Sequence, residues 1–252
     1  MGHANRLWAF YAFFIALIFI WFILPTSGVP ILAYHRVRDD ADIYSVSQAQ
    51  FEEQMKYLAD KGYTAVSLAQ LIDAAEGKSK LPNKPVVITF DDGYADNLLA
   101  ALPILEKYRL KATVFVISRS VGQENYLTWE QIKELQARST EIGSHTASHV
   151  ALSTLGRQQR ESEVRISKAV LEEKLGTPIN FIAYPYGAYD AELPGILQQA
   201  GYRGACTGVA GLNFAAANPY LLKRVNVLQP KYGLWEFKAR LLRAHIYAKL
   251  GA

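Results

Sequence analysis

The chain has 252 residues, half of them hydrophobic, which suits a sizeable core and excludes a disordered chain. Its formal charge of +4 is spread over scattered basic residues with no aromatic-basic stripe, so nothing marks a nucleic acid partner. The single cysteine, Cys206, excludes an internal disulfide and leaves stability to packing.

The first element is "LWAFYAFFIALIFIWFIL", Leu7 to Leu24, eighteen residues without a charge and just long enough to cross a hydrocarbon core as a helix. Arg6 precedes it, and Trp8, Tyr11 and Trp21 lie near its ends, where interfacial anchors sit. The expectation is a cytoplasmic tip and transmembrane signal anchor over residues 1–28, with one domain over 29–252 on the extracytoplasmic side. A cleaved signal peptide is the competing reading and would make the domain secreted.

After the anchor, "PILAYH" reads as a buried strand and "SVSQAQFEEQMKYLADKGY" as a helix. Ser47 is its N-cap with Gln50 three residues on, Phe51, Met55 and Leu58 form the apolar face, and Gly62 ends it. The same capping pattern recurs at Ser67 and Gln70, and again at Thr128 and Gln131. "KPVVITF" and "KATVFVIS" read as strands, separated by a helix over 95–110 that Pro103 interrupts. A polar helix covers Arg157 to Leu175. Next come "INFIAYP", a helix near Ala191 to Ala200, "YRGACTG", a strand at "LKRVNVL", and a closing helix. Strands alternating with helices predict an α/β fold with a mostly parallel sheet, open or closed into a barrel. Sites in such folds form at the carboxyl ends of the strands.

Asp91 and Asp92 stand at one such end. Adjacent carboxylates repel, so their placement asks for a cation between them. Successive strand residues point to opposite faces, so both can address one site only if the chain turns there, and Gly93 permits the turn. His145 and His149 are four apart, the spacing that aligns two imidazoles on one helical turn. A carboxylate with two neutral imidazoles leaves positions open for water and substrate, as a hydrolytic metal requires. The alternative is an Asp-Asp-Gly loop that caps the following helix, which leaves the histidines unexplained.

"TFDDG" (Thr89 to Gly93) with "HTASH" (His145 to His149) resembles the first two signature motifs of the NodB-homology polysaccharide deacetylases, carbohydrate esterase family 4. The resemblance runs from Val29 to about Val227 and implies a distorted (β/α) barrel of NodB-homology type. It also implies Asp91 as catalytic base and Asp92, His145 and His149 as ligands of one divalent metal, zinc first, with cobalt, nickel or manganese fitting the same set. The family's third motif begins with an arginine, replaced here by Ala183 in "AYPYG". "FIAYPYG" and "ILAYHRV" are similar to the branch that deacetylates poly-β-1,6-N-acetylglucosamine in biofilms, which lacks that arginine. On this reading Arg224 supplies the cation beside the base, and His35, from an early strand, protonates the leaving amine. The backbone N–H of Tyr186 stabilises the oxyanion, and Tyr184, Tyr186 and Trp129 are candidates for stacking on sugar rings.

The expected function is metal-dependent N-deacetylation of an extracytoplasmic polysaccharide, held by the membrane helix where a polymer emerges beside its synthase or export machinery. Deacetylation of peptidoglycan or chitin-like glycans, or an inactive carbohydrate-binding module on the same fold, are the alternatives.

Overall fold

The computed structural model describes residues 8, 10, 11, 13–17, 21, 26 and 28–250. Half of the expected anchor, Leu7 to Leu24, therefore lies outside the described residues. The described residues of that stretch are helical and exposed. Among the described residues no helix is long and apolar enough to cross a membrane.

The described residues form ten strands, in chain order: β1 Ile31–Tyr34, β2 Arg36–Val37, β3 Ser45–Val46, β4 Thr64–Ala65, β5 Pro85–Phe90, β6 Thr113–Val116, β7 Glu141–Ser144, β8 Phe181–Ala183, β9 Gly204–Ala210 and β10 Leu222–Asn226. The helices between and after them are α1 Gln48–Asp60, α2 Leu68–Ala75, α3 Leu102–Lys107, α4 Trp129–Ala137, α5 Arg157–Leu175, α6 Leu193–Gln199 and α7 Gly233–Leu250. Strand β1 pairs with both β10 and β5, and β5 through β10 pair in sequence, so seven parallel strands close on themselves. Strand β4 extends the start of β5, and β2 with β3 forms a separate two-stranded ribbon. The barrel is irregular where β10 meets β9, with a register shift between Leu222 and Arg224.

Closure divides each strand by parity. Ile31, Val87, Phe115, Phe181, Cys206 and Leu222 pack together as one buried cluster, while Leu32, Ile88, Val114, Ile142, Ile182 and Val225 belong to the larger core under the helices. Two residues beyond the first set along their strands lie Ala33, Thr89 and Arg224, and beyond Ala33 and Thr89 come His35 and Asp91. The strand-end groups are thus carried by the register that fills the barrel.

The capping expectations at Ser47, Ser67 and Thr128 are met by side-chain bonds to the backbone of Gln50, Gln70 and Gln131. The helix expected over 95–110 is not one helix. A π turn over Asn97–Ala101 precedes α3, and Pro103 sits in the first turn of α3, where its missing N–H costs nothing. The wider turn lets the chain pass the proline without a break.

Candidate active site

At the carboxyl end of β5 the Asp91 amide donates to the Tyr34 carbonyl at 2.9 Å, continuing the ladder with β1. Asp91 therefore keeps the inward parity. Asp92 would point outward, but it takes φ 74° and Gly93 takes φ 78°. This left-handed step turns the Asp92 carboxylate onto the same cleft. Leu127 N–H donates to the Gly93 carbonyl at 3.0 Å and pins the turn.

The two histidines arrive differently from the expectation. "HTASH" is not a helical turn but a loop after β7, with Thr146 at φ 66° and His149 at φ 58°. The loop is organised by Glu163 of α5, whose carboxylate accepts from the amides of Ala147 (3.0 Å) and Ser148 (2.9 Å) and from the Ser148 hydroxyl (2.7 Å). The imidazoles still converge, with ring centroids 4.7 Å apart.

His145 Nδ1 lies 2.8 Å from the Ala183 carbonyl oxygen. A carbonyl only accepts, so Nδ1 carries the hydrogen and Nε2 is left as a lone-pair donor toward the cleft. Nε2 of His145 and of His149 lie 3.5 and 3.4 Å from Asp92 Oδ1. That oxygen is buried and has no hydrogen-bond partner. Burial, then the charge of Asp91, pushes the Asp92 carboxyl up to about 6, and burial pushes His145 down to about 3. Three lone-pair-bearing atoms within 4.8 Å of one another, one of them an orphaned carboxylate oxygen, fit a divalent cation.

Asp91 is paired instead with Arg224 of β10. Nη1 and Nη2 donate to its two oxygens at 2.7 and 2.8 Å, and Nε donates to the Thr207 carbonyl at 2.9 Å. Burial alone would raise the Asp91 carboxyl, but the guanidinium overrides it and holds the group well below the usual carboxylate range. His35 places Nε2 3.9 Å from Asp91 Oδ2 and packs against the ring of Tyr44 at 4.7 Å.

A cleft of about 360 Å³ joins His35, Asp91, Asp92, His145, His149, Arg224 and Tyr186. Tyr186 has φ 59° in the turn after β8, its side chain is 73% exposed, and its ring is 4.8 Å from that of His149. The turn rests on a close backbone approach, since a Cβ on Gly187 would come within 2.3 Å of Gly208 N and Cα.

Two expected sugar platforms are corrected. Tyr184 is fully buried, with its hydroxyl donating to the Tyr220 carbonyl at 3.1 Å, because it falls on the outward parity of β8 and packs under the helices. Trp129 opens α4, packs half-buried against the core and is not among the residues that line the cleft. The structure adds Asp42, Tyr44, Tyr94, Asn226 and Leu228 to the lining, which the sequence reading missed. His245 belongs elsewhere, its Nδ1 3.1 Å from the Thr26 hydroxyl.

The polysaccharide deacetylase family model matches residues 78–205. Over 201 residues the chain is 36% identical to YxkH of Bacillus subtilis, covering 80% of this chain and 72% of that protein. It is 29% identical to the poly-β-1,6-N-acetyl-D-glucosamine N-deacetylase of Staphylococcus aureus, covering 68% of this chain and 69% of the relative. Among solved structures, the Streptococcus pyogenes deacetylase PplD in complex with acetate superposes with a TM-score of 0.78 at 28% identity, covering 88% of this chain and 99% of that one. IcaB from Ammonifex degensii does so with a TM-score of 0.78 at 30% identity, covering 87% and 99%.

Proposed function

The chain belongs to the polysaccharide deacetylase family and is a deacetylase hydrolase; from that premise we propose that it removes N-acetyl groups from poly-β-1,6-N-acetylglucosamine in a metal-dependent reaction. The observation that carries the metal dependence is the orphaned Asp92 oxygen facing two imidazole nitrogens, a convergent donor set that a cation would satisfy. Support for the polymer comes from the similarity to the Staphylococcus aureus enzyme and to IcaB.

Asp92, His145 and His149 would hold the ion. When bound, a divalent metal at these three residues supplies a Lewis acid that polarises the acetyl carbonyl and acidifies water. Asp91 takes the proton of the attacking water as the new carbon–oxygen bond forms. Arg224 keeps Asp91 ionised and fixes both its oxygens, which sets the direction of proton transfer at some expense of basicity. The Tyr186 N–H donates to the developing oxyanion. His35 delivers a proton to the nitrogen as the carbon–nitrogen bond breaks, giving acetate and a free amine. The amine becomes cationic, so each turnover adds positive charge to the polymer.

The proposal includes a membrane anchor over Leu7–Leu24, supported by its length and by the absence of charge, with the barrel on the extracytoplasmic side near the polymer's export machinery. Alkaline carbonate extraction of membranes tests the anchor: retention supports it, and full release of the intact chain contradicts it. The substrate is tested by acetate release from poly-β-1,6-N-acetylglucosamine, chitin oligomers and peptidoglycan. Release from the first alone is expected; release only from another glycan would replace the polymer and keep the chemistry.

A further inference from the structure

We propose that one face of α5 is the template of the metal site: Glu163 and Ser167, four residues apart, are positioning residues that hold the loop carrying His149 in its ligating shape before an ion arrives, and so set the affinity for it. The proposal rests on the metal reading of Asp92, His145 and His149. His145 is fixed directly, through the Ala183 carbonyl, whereas His149 is placed by the course of its loop. That course is costly. Thr146 (φ 66°) and His149 (φ 58°) are both left-handed, a conformation that residues with a Cβ keep only where their surroundings over-determine it.

The surroundings act from two sides. On one, the Ser118 and Arg119 amides donate to the Thr146 and Ala147 carbonyls at 3.2 and 3.0 Å, which uses the loop's acceptors and leaves its amides to be satisfied from elsewhere. On the other lies α5, where helical spacing stacks residues 163 and 167 on one face. Glu163 Oε2 accepts from the Ala147 and Ser148 amides, and its Oε1 accepts from the Ser148 hydroxyl. Ser167 Oγ lies 2.8 Å from Ser144 Oγ, both fully buried, and Ser144 Oγ accepts from the Thr146 amide at 3.1 Å. The His149 amide completes the set by donating to the Thr146 hydroxyl at 3.0 Å. Three of the four amides from Thr146 to His149 thus depend on α5, directly or through Ser144.

Neither Glu163 nor Ser167 lines the cleft, so both act through His149. An ion binds only the fraction of chains whose loop already has the ligating shape, and the apparent Kd rises as that fraction falls. Loosening the outer partners of a metal ligand typically weakens metal binding by about tenfold to hundredfold. The contacts of Glu163 also say which replacement is tolerated. A glutamine there still accepts from both amides at Oε1 and donates to the Ser148 hydroxyl oxygen at Nε2, whereas an alanine offers nothing.

The test titrates zinc into the metal-free full chain and its variants, reading Kd against a chelating dye and the rise in Tm at one fixed zinc concentration. Glu163→Ala is expected to weaken zinc binding by about tenfold or more, with a correspondingly smaller rise in Tm. Glu163→Gln should stay within about threefold of the wild type, and Ser167→Ala, which deletes one buried hydroxyl, should lose about twofold to tenfold. Glu161→Ala is the control, since that carboxylate accepts from Arg157 at 3.0 Å instead, and it should bind zinc as the wild type does. A merely structural role lowers the Tm of the metal-free chain and leaves Kd alone; that result for Glu163→Ala overturns the proposal, as does equal weakening by Glu163→Ala and Glu163→Gln. Should Glu163→Ala not fold, Ser167→Ala decides, and wild-type affinity there overturns it. If the wild type itself takes up no zinc, the metal reading fails and the proposal falls with it, a result distinct from equal affinities.

Discussion

Replacing Arg224 with Met removes the cation opposite Asp91 while retaining a long apolar side chain. Two charge-assisted bonds at 2.7 and 2.8 Å disappear, and so does the 2.9 Å bond to the Thr207 carbonyl. At an effective dielectric of about 20 and a charge separation of about 4 Å, the lost attraction is ~4 kcal/mol. Breaking one side of a buried pair costs about 3–5 kcal/mol because the remaining charge stays desolvated. Urea unfolding should therefore show a loss in that range for Arg224→Met. Adding Asp91→Asn removes the stranded charge, so the double variant should recover at least about 2 kcal/mol relative to the sum of the single changes. Additivity to within ~0.5 kcal/mol would refute the reasoning, since it would mean that the two groups do not stabilise one another.

Gly187→Ala places a Cβ within 2.3 Å of Gly208 backbone atoms at φ 67°, so it should lower thermal stability and abolish most acetate release, with near wild-type values of both counting against the turn's role. Tyr184→Phe deletes a buried hydrogen bond to the Tyr220 carbonyl; it should cost ~1 kcal/mol in urea unfolding and leave KM for the polymer unchanged, whereas a large KM rise would restore Tyr184 as a sugar contact. Glu141 is raised above its ordinary value by burial, against hydrogen bonds from Thr113 and the amides of Leu68 and Ala69. The folded state thus binds its proton more readily than the unfolded one. Its contribution is complete below about pH 4 and declines as pH rises through the raised value. Glu141→Gln should flatten the stability profile above about pH 4, and parallel profiles for variant and wild type would contradict the sign.

Much of the site was legible because strand parity is written in the residue order. Val87 and Asp91 share a face of β5, as do Ala33 and His35 beside β1, and Leu222 and Arg224 on β10, so the cation opposite the first carboxylate could be anticipated. Asp92 broke the parity and required a turn; the left-handed φ at an aspartate itself, as well as at Gly93, was not readable from residue type. The loop carrying His149 was hidden for a stronger reason. Its shape depends on Glu163, on the following helix, and no local pattern reports that contact. Tyr184 and Trp129 failed as sugar platforms because an aromatic near a strand end or helix start is equally a core residue, and only their facing decides. Tyr44 and Leu228 reach the cleft from irregular segments that carry no periodic signal, while Asn226 ends β10 on the parity of Leu222 and Arg224.

The account turns on the three convergent ligands Asp92, His145 and His149. Acetate release from β-1,6-linked N-acetylglucosamine pentamer, followed before chelation, after chelation and after zinc add-back, tests it most directly when paired with metal content per chain. One ion per chain, activity lost with it and regained on add-back, and neither retained by His149→Ala at the same metal concentration is the predicted result. Undiminished acetate release from a chain shown to carry no metal would contradict the assignment of these residues.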